Sequence, residues 1–421
     1  MKYIVIIGDG MADLPIEGLG NKTILDVAHK PNIDYMAKMG RSGIAKTVPD
    51  GMPPGSDVAN MAIFGYDPEK YYTGRSPLEA VSMGVTMKDS DLAFRCNLIT
   101  IGESGSPLKI SDLPAEKLNI LDHGSGHITT EEAKELIEFV ADELKAEGFS
   151  FTPGVSYRHL LITENNYGKE SVCIPPHDVI GQSVSDNLPS GAESEKLREM
   201  ILKSYELLKR HPINLKRIEE GKNPGNCIWF WGQGNAPNFT NFFKKYGKNG
   251  SVISAVDLLK GIGISAGLNS IDVEGATGFI DTNYEGKVSA AINALKENDE
   301  DIVFIHVEAP DECGHMGDCK LKIKSVEDLD EKVAGPLLKY AKEEKEKSGQ
   351  ITKILIMPDH PTPIRYRTHT SDPVPFLIYS SEENKNEADD IEAYNETEAT
   401  KGYYKTVFAP DLMDIMFENE K

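Results

Sequence analysis

Residues 3–10 read YIVIIGDG, a run of five apolar residues that ends in a turn carrying Asp9. Apolar side chains at successive positions are typical of a strand buried on both faces, as in a parallel sheet. Similar runs occur at residues 302–307, 353–357 and 375–379. Helical patterns lie between these runs, as in the apolar face formed by Val288, Ala291, Ile292 and Leu295. Strands that alternate with helices predict an α/β fold, with a parallel sheet covered by helices on both sides.

The middle of the chain has a different pattern. Thr129 and Glu132 have the spacing of a capping box, and a helix with one apolar face follows them. Short segments rich in proline, glycine, serine and asparagine separate this helix from a second one around Leu197–Leu208. We therefore expect residues 90–228 to form a smaller α+β domain, inserted into a core built from residues 1–89 and 229–421.

The composition argues against several classes of function. The formal net charge is -22, whereas a nucleic-acid partner usually requires a basic surface. No apolar run approaches the about 20 residues that span a bilayer, and no export signal is visible, so we expect no membrane partner. The five cysteines form no CxxC pair, which favours reduced thiols and a cytoplasmic protein. The acidic residues 381–400 predict a solvated loop.

Carboxylate and imidazole side chains follow the predicted buried strands. Ligands gather at the carboxyl ends of parallel strands, so these side chains are expected to converge. Three carboxylates and three imidazoles are about what two divalent cations need. Mixed oxygen and nitrogen donors favour Mn²⁺, with Zn²⁺, Co²⁺ or Mg²⁺ as alternatives. The residues of this set are Asp9, Asp311, His315, Asp359, His360 and His369.

Each member of this set also has an ordinary explanation. Asp9 could shape a turn, Asp311 and His315 could be a pair on a helix surface, and Asp359 could lie in a plain loop. Their joint placement after separate buried strands favours a site. The other histidines lack such placement and are interpreted as structural or surface residues: His29, His123, His159, His177, His211 and His306.

Ser56 is a candidate nucleophile. It follows the turn-forming residues 50–55 and precedes an apolar stretch that predicts a short helix. The amides and dipole of a helix N-terminus favour negative charge, and an adjacent cation would favour the alkoxide. The alternative is that Ser56 only caps the helix, a common role for serine.

These residues lie in motifs that resemble the archaeal-type, 2,3-bisphosphoglycerate-independent phosphoglycerate mutases of the alkaline phosphatase superfamily. The segments that carry the resemblance are IVIIGDGMADLP, KPNIDYMA, PPGSDVANMAIFGYDP, YYTGRSPLEA, FWGQG, EAPDECGH and MPDHPTP. The resemblance implies an alkaline-phosphatase-like α/β/α core with an inserted domain that closes over the substrate. It also implies that Ser56 becomes phosphorylated. The implied ligands of one cation are Asp9, Ser56, Asp359 and His360, and those of the other are Asp311, His315 and His369.

The implied reaction interconverts 3-phosphoglycerate and 2-phosphoglycerate in glycolysis and gluconeogenesis. A small substrate with a carboxylate and a phosphate needs cationic side chains to hold it. Arg75 is the first candidate for this role, and Arg95, His127 and Arg158 are further candidates. Solvated surface positions are the alternative for Arg95 and Arg158.

The chain departs from the family pattern at two places. It has GRSPLEA where many members have GRGPFEA, and DHPTP where many have DHSTP. Neither change replaces a proposed cation ligand, but the first lies beside Arg75. A phosphotransferase with another acceptor, such as a homoserine kinase, therefore remains an alternative, followed by a metal-dependent phosphatase or phosphodiesterase. A binding module without catalysis would not need six ligands and a placed serine.

Overall fold

The computed structural model describes residues 1–383 and 388–418, and the chain divides into two compact units. The first unit contains Met1–Tyr72 and Asn238–Lys421, and the second contains Thr73–Pro237. The strands are β1 (Lys2–Gly8), β2 (Arg41–Lys46), β3 (Leu92–Gly102), β4 (Asn119–Asp122), β5 (Phe149–Thr152), β6 (Arg158–Thr163), β7 (Ser171–Val172), β8 (Ser190–Gly191), β9 (Cys227–Asn235), β10 (Gly250–Ile253), β11 (Asn269–Ser270), β12 (Ile302–Val307), β13 (Thr352–Met357), β14 (Val374–Ser380) and β15 (Thr406–Phe408).

Helices connect most of these strands. They are α1 (Ile24–Val27), α2 (Pro31–Met39), α3 (Ser56–Ile63), α4 (Pro68–Tyr71), α5 (Arg75–Ser82), α6 (Thr130–Glu143), α7 (Val184–Asn187), α8 (Glu195–Leu208), α9 (Pro212–Glu219), α10 (Phe242–Tyr246), α11 (Asp257–Ser265), α12 (Tyr284–Lys296), α13 (Ala309–Met316), α14 (Cys319–Leu329), α15 (Gly335–Ser348), α16 (Glu396–Ala399) and α17 (Leu412–Phe417). A π-helical turn, Asp330–Ala334, joins α14 to α15 just before Pro336.

The first unit is built on one mixed sheet of eight strands, in the order β11-β10-β12-β1-β13-β14-β2-β15. The strands from β11 to β13 are parallel, as predicted. The prediction of a parallel strand at residues 375–379 is wrong, because β14 runs antiparallel to β13. No helix lies between these two strands, and an antiparallel neighbour needs no helical crossover.

Helices cover both faces of this sheet. On one face, Ile4 and Ile6 of β1 belong to a core that also contains Ile33 of α2 and Leu337 of α15. On the other face, the ring of Phe304 stacks on that of Phe64, with centroids 4.0 Å apart, and Phe242 and Phe417 belong to neighbouring ring contacts. Side chains alternate along each strand, so a strand that is apolar at every position needs both layers. The predicted α/β/α core is confirmed.

The second unit is an antiparallel sheet with its own core. Its long strand β3 pairs with β4 and β6, as well as with β9, and β5 extends the sheet beyond β6. Helices α6 and α8 supply apolar side chains to this core. The unit extends beyond residues 90–228 at both ends. Helix α5 packs against β3 and β9, which explains why the unit begins before its first strand.

Residues 388–400 of the acidic segment 381–400 are not the solvated loop that its charge predicts. Residues 384–387 lie outside the described part of the chain. After them, Ile391 and Tyr394 are buried, and Glu396 accepts a 2.6 Å hydrogen bond from the hydroxyl of Thr23. Among the helices that the structure describes, none combines the length and apolar character needed to cross a membrane.

Candidate active site

The loop after β1 brings two carboxylates close together. Asp9 directly follows the strand. Gly10 has a φ of +60°, a backbone conformation that residues other than glycine rarely adopt. A Cβ atom on Gly10 would lie 2.5 Å from Oδ1 of Asp311. Glycine at this position therefore allows the loop after β1 to approach the start of α13, where Asp311 lies.

One donor group consists of Asp311, His315 and His369. Asp311 and His315 lie one turn apart on α13, and Nε2 of His315 is 3.2 Å from Oδ2 of Asp311. Nε2 of His369 lies 3.4 Å from Oδ1 of Asp311 and 3.0 Å from Nε2 of His315. The structure thus brings together the three residues that the resemblance assigned to one cation.

A second donor group surrounds Nε2 of His360. This atom lies 3.1 Å from Oγ of Ser56, 3.4 Å from Oδ2 of Asp359 and 3.6 Å from Oδ1 of Asp9. Ser56 is the first residue of α3, so its side chain is placed at a helix N-terminus. The two groups are adjacent, because the rings of His360 and His369 stack with centroids 4.0 Å apart.

The three histidines present the same ring nitrogen to the carboxylates. Nδ1 of His369 donates to the carbonyl of Pro54, and Nδ1 of His315 donates to the carbonyl of Arg367. Nδ1 of His360 faces the hydroxyl of Thr362 at 3.3 Å. A partner at Nδ1 fixes the orientation of the ring and leaves the lone pair of Nε2 available to a metal ion. This is the usual arrangement of a histidine that binds a metal ion.

The carboxylates and imidazoles shift one another's pKa values. Burial, with Asp359 and Asp311 nearby, raises the pKa of Asp9 well above its usual value. Burial alone would also raise the pKa of Asp311, but His315 and His369 outweigh it and hold the pKa well below its usual range. The hydrogen bond with Asp311 raises the pKa of His315 to about 9. The site therefore attracts positive charge strongly.

This donor set fits divalent cations. Oδ1 of Asp9 is buried and has no hydrogen-bond partner among the described residues, so it is available to a cation. The nitrogen atoms of His315 and His369 face each other at 3.0 Å, a separation that a proton or a shared metal ion would stabilise. Oxygen and nitrogen donors without a thiolate suit Mn²⁺ and similar ions.

Several residues of this site were not predicted from the sequence. His306, interpreted as structural or surface, lies with Asp9 and Asp359 in a third buried group that could hold a metal ion. The amide of Asn60 donates to Oδ2 of Asp359 at 2.8 Å. The hydroxyl of Thr362 donates to Asp311. The position of His306 at the end of a buried strand, two residues before Glu308, was the available signal for it.

The second unit contains a basic cluster, which we define as Arg75, Arg95, Arg158, His123 and His177. Glu79 forms ion pairs with Nε of Arg75 at 3.1 Å and with Nε of Arg95 at 2.9 Å. Burial alone would raise the pKa of Glu79, but Arg95 and Arg75 outweigh it and lower the pKa, with a smaller contribution from Arg158. One carboxylate thus faces three guanidinium groups.

Aromatic rings hold part of this cluster in place. The guanidinium of Arg95 lies 4.8 Å from the ring centroid of Trp231, and the ring of His177 contacts the same tryptophan. Burial lowers the pKa of His177, and the charges of His123, Arg95 and Arg75 lower it further, although Asp178 opposes them.

The four predicted substrate residues are placed differently. Arg95 is buried in β3, Arg75 begins α5, and Arg158 begins β6 with an exposed side chain. These three share the electrostatic environment of Glu79. His127 is exposed, with a φ of 52°, and no described contact joins it to the arginines.

Comparisons with known proteins agree on one family. The family model described as 2,3-bisphosphoglycerate-independent phosphoglycerate mutase matches residues 37–214. A curated protein of that name from Methanosarcina mazei is 54% identical over 419 residues, covering 100% of both chains. Another from Methanothrix thermoacetophila is 46% identical and covers 99% of both.

Solved structures extend this likeness to the fold. A protein from Pyrococcus horikoshii has a TM-score of 0.80 and 30% identity, with 99% of this chain and 96% of that one covered. The cofactor-independent phosphoglycerate mutase from Thermoplasma acidophilum has a TM-score of 0.65 and 24% identity over 99% of each chain, a likeness of fold.

Proposed function

Since the chain belongs to the family of 2,3-bisphosphoglycerate-independent phosphoglycerate mutases, we propose that it interconverts 3-phosphoglycerate and 2-phosphoglycerate through a phosphoserine at Ser56. The observation that supports this most directly is the position of the Ser56 hydroxyl. It lies at the N-terminus of α3, 3.1 Å from Nε2 of His360 and adjacent to two groups of cation ligands.

Two divalent ions, with Mn²⁺ as the proposed species, would be held by the two donor groups. Asp9, Ser56, Asp359 and His360 would hold one ion, and Asp311, His315 and His369 the other. When bound, the ions would neutralise phosphate oxygens and favour the alkoxide of the serine. The protein's own contribution is to keep the ligand atoms in place, through the hydrogen bonds of each histidine and of Asp359.

In the proposed reaction Ser56 accepts and returns the phosphoryl group. Its Oγ bonds to phosphorus as the bond between phosphorus and oxygen 3 of the glycerate breaks. The glycerate reorients, and its oxygen 2 then attacks phosphorus while the serine oxygen leaves. The amides at the N-terminus of α3 favour the negative charge of the phosphoserine.

The proposed division of labour gives metal binding to the first unit and substrate covering to the second. Arg75, Arg95 and Arg158 would bind the carboxylate or phosphate of the substrate, and their excess over Glu79 supports this role. Water must be excluded while the phosphoserine exists, since it would otherwise be hydrolysed. His127 remains a proposed substrate residue without a described contact to this cluster.

One of the two changes in the motif beside Arg75 has a structural explanation. Ser76 is buried, and its hydroxyl donates a 2.5 Å hydrogen bond to the carbonyl of Gly232. This serine therefore has a structural contact. We propose a cytoplasmic location because all five cysteines are free thiols.

The proposal is tested by a substrate assay. The protein loaded with Mn²⁺ should convert 3-phosphoglycerate to 2-phosphoglycerate without added bisphosphoglycerate. Release of inorganic phosphate from many esters, with no 2-phosphoglycerate, would contradict the mutase and support a phosphatase. Turnover that requires ATP and homoserine would support the kinase alternative.

A further inference from the structure

A buried row of charged side chains ends at Asp9. Nζ of Lys287 lies 2.9 Å from Oε2 of Glu308, and Oε1 of Glu308 lies 2.9 Å from Nδ1 of His306. Nε2 of His306 in turn lies 3.1 Å from Oδ2 of Asp9. The side chains of Lys287, Glu308 and His306 are each almost completely inaccessible to solvent. The proposed reaction assigns no role to these three residues.

The far end of this row is fixed by several hydrogen bonds. Lys287 also donates to the carbonyl of His306 at 2.7 Å. Oε1 of Glu308 accepts hydrogen bonds of 3.0 Å from the hydroxyl of Ser254 and from the amide of Ala255. Buried charges are stable only when they are paired and hydrogen-bonded in this way. Glu308 can therefore hold the ring of His306 in one orientation.

Asp9 uses its two oxygens differently. Oδ2 faces His306, whereas Oδ1 lies 3.6 Å from Nε2 of His360, on the side of the second donor group. The contact with His306 is an ion pair rather than an aligned hydrogen bond, since Nε2 has no hydrogen-bond partner within residues 1–383 and 388–418. With Oδ2 facing His306, Oδ1 has no hydrogen-bond partner among the described residues and is left for a cation.

Direct binding of a cation by His306 is less well supported. The third ligand of such a site would be Asp359, whose Oδ2 already accepts a hydrogen bond from Asn60 at 2.8 Å. Its Oδ1 accepts from the amides of Gly10 and His360. If Asp359 also holds the proposed ion, only Asp9 and His306 remain for a further one.

We propose that His306, anchored by Glu308 and Lys287, is a positioning residue that orients Asp9 for cation binding. This inference rests on the proposed metal site. Partners of this kind change metal affinity about 10- to 100-fold when they are lost. They do so without contacting the ion, so the nitrogen ligands of the bound ion stay the same.

Two polar variants of His306 separate its two contacts. In His306→Gln the amide nitrogen takes the place of Nε2 and can still reach Asp9, whereas in His306→Asn it takes the place of Nδ1 and cannot. The full-length protein is titrated with Mn²⁺ to obtain the dissociation constant. Pulsed electron paramagnetic resonance then counts the imidazole nitrogens bound to Mn²⁺. We expect about 10- to 100-fold weaker binding in His306→Asn, a smaller loss in His306→Gln because its uncharged N–H still attracts Oδ2 of Asp9, and an unchanged nitrogen count in both.

His159 provides the matched control, because it is also a buried histidine in a strand but lies in the second unit. His159→Asn and His159→Gln should leave Mn²⁺ binding unchanged. Equal affinity in wild type and both His306 variants would overturn the inference, as would equal loss in both. A lower nitrogen count would overturn it by identifying His306 as a ligand. If the wild-type protein binds no Mn²⁺, the proposed metal site itself fails, which is a separate result.

Discussion

The two units concentrate charge of opposite sign. In the first unit, Asp9, Asp311 and Asp359 lie together, and the neighbouring side chains are imidazoles. In the second unit, the three arginines of the basic cluster share one carboxylate, Glu79. A concentration of one charge is costly to bury unless a counter-ion is supplied. The first region, which is the group of carboxylates and imidazoles in the first unit, is therefore suited to cations. The second region, which is the basic cluster, is suited to an anion.

Two buried histidines in strands show how strongly neighbouring groups determine the pKa of a side chain. For His306, burial alone would lower the pKa, but Glu308 and Asp9 outweigh it and raise the pKa to about 10. For His159, burial is the main cause, and it lowers the pKa to about 3. The pKa of histidine thus shifts in opposite directions at similar burial, because two carboxylates lie beside His306 and burial alone acts on His159.

Removal of the Ser56 hydroxyl should have the largest effect on the first region. Ser56→Ala should reduce mutase turnover on the order of 10³-fold or more, because no other described hydroxyl has a hydrogen-bond contact with Nε2 of His360. Turnover is measured with Mn²⁺-loaded protein and 3-phosphoglycerate, and circular dichroism checks the fold. Ser325→Ala is the control, since Ser325 is a buried serine of α14 that donates to the carbonyl of Lys322. Substantial activity in Ser56→Ala would remove Ser56 as nucleophile.

Removal of one carboxylate should weaken the preference of the first region for cations. Asp311→Asn keeps the size of the side chain but loses the charge that faces His315 and His369. We expect Mn²⁺ affinity to fall about 10²-fold or more, measured by titration calorimetry. Asp318→Asn is the control, because Asp318 caps the next helix through the amide of Leu321. Unchanged affinity in Asp311→Asn would contradict its role as a ligand.

Loss of one arginine should weaken the binding of an anion by the second region. A charged hydrogen bond contributes about 1.5–3 kcal/mol, so Arg75→Ala should raise the KM for 3-phosphoglycerate about 10- to 100-fold. Arg198→Ala is a matched control, because Arg198 lies in the same unit and its side chain is also 37% exposed. Mn²⁺ affinity should stay the same in both variants. A KM that changes equally in both would argue against an anion site at the basic cluster.

The sequence predicted the first region better than the second, for a physical reason. Asp9, Asp311 and Asp359 each come after one of three parallel strands of the same sheet, and the carboxyl ends of such strands meet. The partners of the basic cluster come from an antiparallel sheet and a helix, where no such rule brings residues together. Glu79, the shared partner of Arg75 and Arg95, was therefore missed.

Within the first region, the role of His306 was not predicted, because its contact with Asp9 depends on strand register. His306 lies opposite Ile7 in the pairing of β12 with β1, and this places it near Asp9. A histidine inside an apolar strand otherwise looks like a core residue. The direction of β14 also depended on the connection before it, which carries no helix.

The smallest predicted effect is that of His159 on the pH dependence of the stability of the second unit. Its pKa is lowered to about 3 in the folded protein, whereas an unfolded histidine titrates near 6.5. Between these values the unfolded chain binds a proton that the folded chain does not, so stability falls as the pH falls. The loss is about 1.4 kcal/mol per pH unit, or about 2 kcal/mol between pH 7 and pH 5.

His159→Asn should remove this part of the pH dependence, since asparagine does not titrate. Its amide oxygen can still accept from the amide of Gly154, which Nδ1 of His159 accepts at 3.1 Å. Urea unfolding is followed by tryptophan fluorescence, which reports on the second unit because both tryptophans, Trp229 and Trp231, lie in β9. His127→Asn, at an exposed histidine of the same unit, should keep the wild-type pH dependence. If His159→Asn also kept it, the contrast between the two buried histidines would not hold, because His159 would then be protonated at a cost too small to measure.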